Sequence, residues 1–304
     1  MKEYSVKTIF LIFSWVTKRE SGYKLLLTNM MVGEDMKINI KNIEINYQEA
    51  GRGKPVYFIH GNGLELNSHY LLYDDLFDDA MYRRIYMDLP GMGESEAAQS
   101  IATTNDMLDV IMAFIDTLTP KQDIILFGHS YGAYMCLGLM DRWKNRITDA
   151  FLTCPVVEGQ FKARMREKLV PVIKEKIHVK DNQDYYDEYT DTTVVISEDT
   201  WRRYQELIVP GIKKADKAFM KALRRDESVY YQFRCEDVID IGDRTKLQVI
   251  LSKQDNIVGY QDQLSFFNKE ANVSVTLLAN TGHNPMIEEY ELIRAIAGVF
   301  VNQL

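Results

Sequence analysis

Residues 123–139, DIILFGHSYGAYMCLGL, run apolar into Gly-His-Ser-Tyr-Gly and then apolar again. A serine that merely ends a strand needs neither of the glycines standing two residues either side of Ser130. If residues 123–127 form a buried strand that turns sharply into a helix from Tyr131, positions 128 and 132 fall where side chains would collide. Glycine removes the clash and tolerates the strained backbone, leaving Ser130 exposed at the tip. The stretch reads as an activated nucleophile on a tight turn. A glycine-flanked loop serine is the ordinary alternative, and the rest of the chain decides between them.

Outward from this turn, strand and helix patterns alternate from residue 36 onward. KINIKNIEINYQE has the period-two alternation of a hairpin or paired edge strands. PVYFIHGNG is a short buried strand ending in a glycine-rich loop, LNSHYLLYDDLF has helical spacing, and YRRIYMDLPGMGES is a strand entering a loop. IATTNDMLDVIMAFIDTL predicts a long amphipathic helix closed by Pro120, and ITDAFLTCPVV predicts the strand after the Ser130 helix. Such alternation predicts an α/β fold, a mostly parallel sheet with helices on both faces. Residues 158–236 break the rhythm: charged, rich in Tyr and Lys/Arg, and helical around DNQDYYDEYTD. They read as a mainly helical cap inserted before the last strands. Those strands are KLQVILSKQD and VSVTLLAN, and PMIEEYELIRAIAGVFVNQL closes the chain as a helix.

Composition narrows the function classes. With 304 residues, 46% hydrophobic and 26% charged, the chain has ample material for one large α/β domain with an insertion. Thirty-six basic against 44 acidic residues give a net charge of −8. That argues against a nucleic-acid protein, which needs a basic face. Cys136, Cys154 and Cys235 are too widely spaced for a disulfide framework or a metal signature, which fits a reducing cytoplasm. The five histidines show no paired metal spacing, so no metal is expected. Residues 8–16, TIFLIFSWV, fall short of the about 20 apolar residues that span a bilayer. TKRESG follows where a leader cleavage site needs small residues. Residues 1–35 therefore read as an extension ahead of a domain covering 36–304. A docked extra helix and a membrane-surface anchor are the alternatives.

In an open parallel sheet, ligands bind beyond the carboxyl ends of the strands. Ser130, the loop His60-Gly61-Asn62-Gly63, Asp255 at the end of VILSKQD and His283 in ANTGHNP all fall there. The chain order is Ser, Asp, His. An alcohol is a poor nucleophile until a base takes its proton, and imidazole does so at neutral pH. A carboxylate then holds the correct tautomer. Glu158, after an earlier strand, is a second candidate acid. Asp88, His60 and His129 read as structural hydrogen-bonding residues, and His69 and His178 as surface residues. The tyrosines of the insertion read equally as core or surface.

Taken together these motifs resemble the α/β-hydrolase superfamily, in its capped, cofactor-free branch, from Met36 to the C-terminus apart from the cap. Gly-His-Ser-Tyr-Gly resembles the nucleophile turn, His60-Gly61-Asn62-Gly63 the oxyanion loop, and Asp88-Leu-Pro-Gly-Met-Gly-Glu-Ser the loop after the next strand. Asp255 and His283 match the acid and the base. The resemblance implies that the backbone N–H groups of Asn62 and Tyr131 stabilise an oxyanion, with no cofactor. Serine at the nucleophile position departs from haloalkane dehalogenases and epoxide hydrolases, which carry Asp. The turn and loop also lack the patterns usual in proline iminopeptidases. Gly259, in QDNIVGY, stands where relatives often place proline. The implied activity is hydrolysis of a small-molecule acyl substrate, an ester or thioester. C–C bond hydrolysis, perhydrolysis, acyl transfer and aminopeptidase action are alternatives on the same residues. A ligand-binding sensor that keeps the pocket is the alternative of another class. Neither a nucleic acid nor a membrane is expected as partner, and the oligomeric state is not legible.

Overall fold

The alternation that opens at Met36 forms two antiparallel strands, β1 (Met36–Ile40) and β2 (Ile43–Ala50), with Ile40 opposite Ile43. Lys41 and Asn42 between them have φ of 51° and 65°. That pair of left-handed residues makes the two-residue turn whose twist matches the strands. The structure is a computed structural model and describes residues 35–233, 239–269 and 272–304. Residues 1–34 and Cys235, on which parts of the sequence reading fell, lie outside the described residues, as do the last residues of the expected cap.

The chain continues through β3 (Lys54–Ile59), α1 (Asn67–Tyr73), β4 (Tyr82–Met87), α2 (Thr104–Leu118), β5 (Ile124–His129), α3 (Tyr131–Arg142) and β6 (Ile147–Thr153). An insertion follows, with β7 (Val172–Ile173), α4 (Tyr186–Thr192), β8 (Val195–Ile196), α5 (Glu198–Leu207), α6 (Val209–Lys214) and α7 (Lys217–Leu223). It is helical from α4 to α7, but β7 and β8 also pair as a small parallel sheet. The main fold resumes with β9 (Lys246–Ser252), α8 (Tyr260–Phe267), β10 (Val273–Leu278), α9 (Pro285–Glu288) and α10 (Tyr290–Val301). The main sheet has eight strands in the order β1-β2-β4-β3-β5-β6-β9-β10. β1–β2 and β2–β4 are antiparallel and the remaining pairings parallel. This is the mostly parallel α/β sheet that the alternation predicts, and the architecture that the resemblance to the α/β-hydrolase superfamily implies.

β5 explains why the sheet is covered on both faces. Successive side chains of a strand point to opposite sides. Ile124 and Leu126 join one core with Met107, Ile111 and Phe114 of α2 and most of α3. Ile125 and Phe127 join the other with Tyr70 and Tyr73 of α1, Phe300 of α10, and Trp201 and Tyr204 of the insertion. A strand buried on both faces reads as an unbroken apolar run, as β5 does. α2 starts at a capping box in which Thr103 accepts the N–H of Asp106 and the Asp106 carboxylate accepts back.

Two expectations are corrected. His69 is not a surface residue: it lies buried in α1, its ring 6.2 Å from Phe58 and 5.7 Å from Tyr73. Burial pushes its pKa well below the ordinary histidine value, so the ring is neutral. The closing segment is also not one helix. Glu289, at φ −124° and ψ 46°, separates α9 from α10. Of the insertion's tyrosines, Tyr189, Tyr204 and Tyr231 are core. Among the described residues no helix is long and apolar enough to cross a membrane.

Candidate active site

Ser130 stands alone between β5 and α3, at φ 53° and ψ −115°. A non-glycine residue in such a region costs on the order of 1–3 kcal/mol and persists only where its surroundings over-determine it. Here they do. The Ser130 N–H donates to the Thr153 carbonyl at 2.9 Å, and the Ser130 carbonyl accepts the Tyr134 N–H at 3.1 Å. The two glycines have separate steric reasons. A Cβ on Gly128 would stand 2.8 Å from Ala133 Cα and Cys136 Sγ, and one on Gly132 1.9 Å from the Ile59 carbonyl oxygen. Only glycine lets the first turn of α3 lie against β5 and the end of β3.

Three side chains from distant parts of the chain then form one hydrogen-bonded line. Ser130 Oγ is 2.8 Å from His283 Nε2, and His283 Nδ1 is 2.8 Å from Asp255 Oδ2. The other Asp255 oxygen accepts the N–H groups of Ile257 and Val258 at 2.9 and 3.0 Å. Burial opposes the charge on Asp255, but His283 and these donors outweigh it and hold the carboxyl below its ordinary pKa. An ionised Asp255 accepts a hydrogen bond from His283 Nδ1–H and so fixes that tautomer, which leaves the Nε2 lone pair to accept from the Ser130 hydroxyl. Glu158 is placed elsewhere. Its Oε1 accepts the Gln160 N–H at 2.7 Å and its carbonyl accepts the Arg164 guanidinium.

The loop after β3 runs along the other side of the serine. A Cβ on Gly61 would stand 3.2 Å from Ser130 Cβ, and Asn62 follows directly on that contact. Tyr131 is the first residue of α3, where a backbone N–H has no intrahelical partner. His60 braces this loop: its Nε2 accepts the Leu89 N–H at 3.0 Å and its Nδ1 lies 2.8 Å from the Gly61 carbonyl. A ring accepting at Nε2 is neutral and donates from Nδ1; burial holds its pKa down. Asp88 accepts from Asn46 Nδ2, Leu66 N–H and Glu94 N–H, each at 2.8 Å, and so ties three segments together. His129 Nδ1 lies 2.9 Å from Thr153 Oγ1 and its ring 5.3 Å from that of His283. Burial, and then His283, push its pKa down to about 3, so it stays neutral.

The insertion packs on the loops that flank the serine, where a Cβ on Gly211 of α6 would stand 2.5 Å from the Leu64 backbone. Lys214 of α6 reaches Glu65 at 2.7 Å and Glu94 at 3.1 Å, and the Asp216 N–H donates to the Gly91 carbonyl at 2.9 Å. Ser130 and His283 are each left 8% exposed. Gly259 has its own reason: at φ 78° a Cβ there would stand 2.1 Å from the Met165 carbonyl oxygen. Proline, locked at negative φ, cannot take this backbone.

Cys154, Asp255 and His283 place potential metal-donor atoms within 4.8 Å of one another. The set does not suit a metal. Asp255 and His283 already bond each other, and burial, reinforced by Asp255, pushes the Cys154 thiol well above its ordinary pKa. Cys136 and Cys154 are both buried and free. Sequence reasoning passed over Thr153, whose carbonyl anchors the Ser130 turn. It also passed over Glu288, whose carboxylate meets the His283 loop. Thr153 could have been found as the last residue of the neighbouring strand; Glu288 carries no such signal.

A family model described as the Alpha/beta hydrolase family matches residues 56–296. The dihydrolipoyllysine-residue acetyltransferase component of the acetoin cleaving system of Cupriavidus necator is 29% identical over 147 residues, 45% of this chain and 38% of that protein. The (E)-2-((N-methylformamido)methylene)succinate hydrolase of Acinetobacter baylyi is 29% identical over 109 residues, 36% of this chain and 40% of that protein. The chain thus matches about two fifths of the length of these curated relatives. Among solved structures, an alpha/beta superfamily hydrolase from Oenococcus oeni PSU-1 is similar at a TM-score of 0.81 and 31% identity, covering 88% of this chain and 98% of that one.

Proposed function

The chain belongs to the alpha/beta hydrolase family, and from that premise we propose that it is a serine hydrolase cleaving a small ester, thioester or related acyl compound through an acyl-enzyme. One observation carries the reading: Ser130 Oγ on its strained turn, 2.8 Å from His283 Nε2. In this scheme Ser130 Oγ attacks the substrate carbonyl as its proton passes to Nε2, and Asp255 steadies the resulting imidazolium. The N–H groups of Asn62 and Tyr131 receive the developing oxyanion, each worth about 3 kcal/mol of barrier. The imidazolium returns the proton to the leaving group, and a water activated by His283 then releases the acyl group. No step calls for a metal or an organic cofactor.

Support comes from the geometry and from the names of the relatives, a hydrolase and an acetyltransferase component. Both names fit acyl chemistry. The test is a panel of nitrophenyl esters of increasing acyl length, run on the wild type and Ser130→Ala. Turnover that depends on Ser130 and peaks at one chain length supports the reading. Equal rates in both proteins overturn it, and no turnover of any ester by the wild type favours the sensor.

A further inference from the structure

α9 carries a half-buried carboxylate, Glu288, that the acyl-transfer scheme leaves unused. Glu288 Oε1 accepts the N–H groups of Val194 at 2.7 Å and Val195 at 2.9 Å, at the start of β8 in the insertion. Its Oε2 accepts the N–H of Gly282, the residue before His283, at 2.7 Å. The two segments touch here: a Cβ on Gly282 would stand 2.2 Å from the Thr192 carbonyl oxygen. All three bonds go to backbone groups, so the carboxylate sets where two chain segments lie. Such charge-assisted bonds are about twice as strong as neutral ones.

We propose that Glu288 is a positioning residue: ionised, it joins the His283 loop to the insertion and keeps the imidazole in line between Ser130 and Asp255. The consequence for catalysis rests on the hydrolase reading; the joint itself does not.

Burial pushes the Glu288 carboxyl up to about 7, against the lowering effect of its three N–H donors, and Glu289 on the neighbouring turn adds to the rise. The Tyr189 phenol of α4 and the Cys154 thiol after β6 also act on it electrostatically, and neither is a cation. Arg203 of α5 is turned instead to the Ile287 carbonyl and Asp199. A carboxyl raised on folding binds protons more tightly in the folded state. Protonation of Glu288 therefore favours folding as pH falls from about 7 towards 4.5. The same proton loosens the joint. Oε1 accepts two N–H groups and Oε2 one, and a hydrogen on either oxygen takes away the charge that strengthens all three bonds and leaves a hydroxyl, a poorer acceptor. Stability and alignment thus respond to Glu288 protonation in opposite directions.

Glu288→Gln separates the two. The amide oxygen can still accept from Val194 and Val195, but the amide NH₂ then faces the Gly282 N–H, donor against donor. At about pH 8 the expected result is a thermal midpoint no lower than wild type, because the half-buried charge is gone. kcat on a nitrophenyl ester should fall about 10- to 100-fold with little change in KM. In the wild type the acid limb of kcat should be steeper than a single ionisation allows; in the variant it should fit one. Amide hydrogen exchange over residues 192–196 and 280–284, corrected for intrinsic rates, reads the joint without turnover. Protection should rise between about pH 6 and pH 8 in the wild type and stay flat in Glu288→Gln. Wild-type kcat in the variant, or wild-type protection that does not change with pH, overturns the proposal. Full activity in Ser130→Ala would instead sink the hydrolase reading, and the exchange measurement would still decide the joint.

Discussion

Asp255 Oδ2 lies 2.8 Å from His283 Nδ1 although 28 residues separate them in the chain. The reason is the pairing of β9 with β10, parallel neighbours in which Ser252 stands opposite Leu278. Loops leaving the carboxyl ends of two such strands emerge side by side, and α8 returns the chain between them. β5 delivers Ser130 to the same end of the sheet, two strands further in.

The first prediction concerns the nucleophile. A serine-directed organophosphonate should label Ser130 alone, because among the described residues it is the serine whose hydroxyl meets a histidine ring nitrogen. Ser130→Ala should lose on the order of 10⁶ in kcat. Peptide mapping after labelling checks it, and a label on any other serine counts against the scheme.

A second concerns the acid. Asp255→Asn keeps the shape but leaves the imidazole in the wrong tautomer, for a loss on the order of 10⁴ in kcat. Glu158→Gln should stay within about twofold, since among the described residues Glu158 bonds only its own loop. The Asp255 carboxyl is held below its unfolded value of 3.8, so its contribution to stability is full above that pH and disappears as pH falls through the folded value. The stability gap between wild type and Asp255→Asn should therefore close in acid. Thermal melts at neutral and acid pH measure it.

The third separates two glycines. Gly259→Ala meets the Met165 carbonyl at 2.1 Å with φ at 78°, and should cost about 1–3 kcal/mol or more. Gly298→Ala, inside α10 with nothing within 4 Å of the added methyl, should instead gain about 0.5–1 kcal/mol. Urea unfolding of the two variants checks both signs. Equal effects would mean that the Met165 segment does not pack on the acid loop.

The fourth tests how the insertion is held. Lys214→Ala leaves Glu65, 4% exposed, with Asn67 as its remaining side-chain partner. Because Lys214 is partly solvated, a loss of about 1 kcal/mol is expected rather than the full cost of an unpaired buried charge. KM for the ester should rise more than kcat falls, since α6 packs on the loop of Gly63 and Leu64 rather than on the hydrogen-bonded line of Ser130, His283 and Asp255. A kcat loss with unchanged KM would instead tie Lys214 to the chemistry.

How much of this was legible in the sequence depends on how far each feature reaches along the chain. The turn around Ser130 was readable because its requirement is local: Gly128 and Gly132 are dictated by atoms met within the turn and the adjacent strand. The two-faced sheet was readable because β5, apolar at every other position on both sides, leaves no exposed face. His69 was misread because its polarity is local while the rings that bury it come from β3 and the end of its own helix.

Between Asp255 and Glu158 the residues themselves showed only that each follows a strand, and resemblance alone favoured Asp255. Tertiary structure decided, because Asp255 turns one oxygen to Ile257 and Val258 and frees the other for an imidazole brought in by the next strand. Glu288 marks the limit of such reading. Its partners are backbone N–H groups of Val194, Val195 and Gly282, and a backbone donor is the same chemical group at almost every residue. Steric and periodic demands are written into the side chains that meet them. The partner of a half-buried carboxylate is chosen only when folding brings two distant stretches of main chain to the same place.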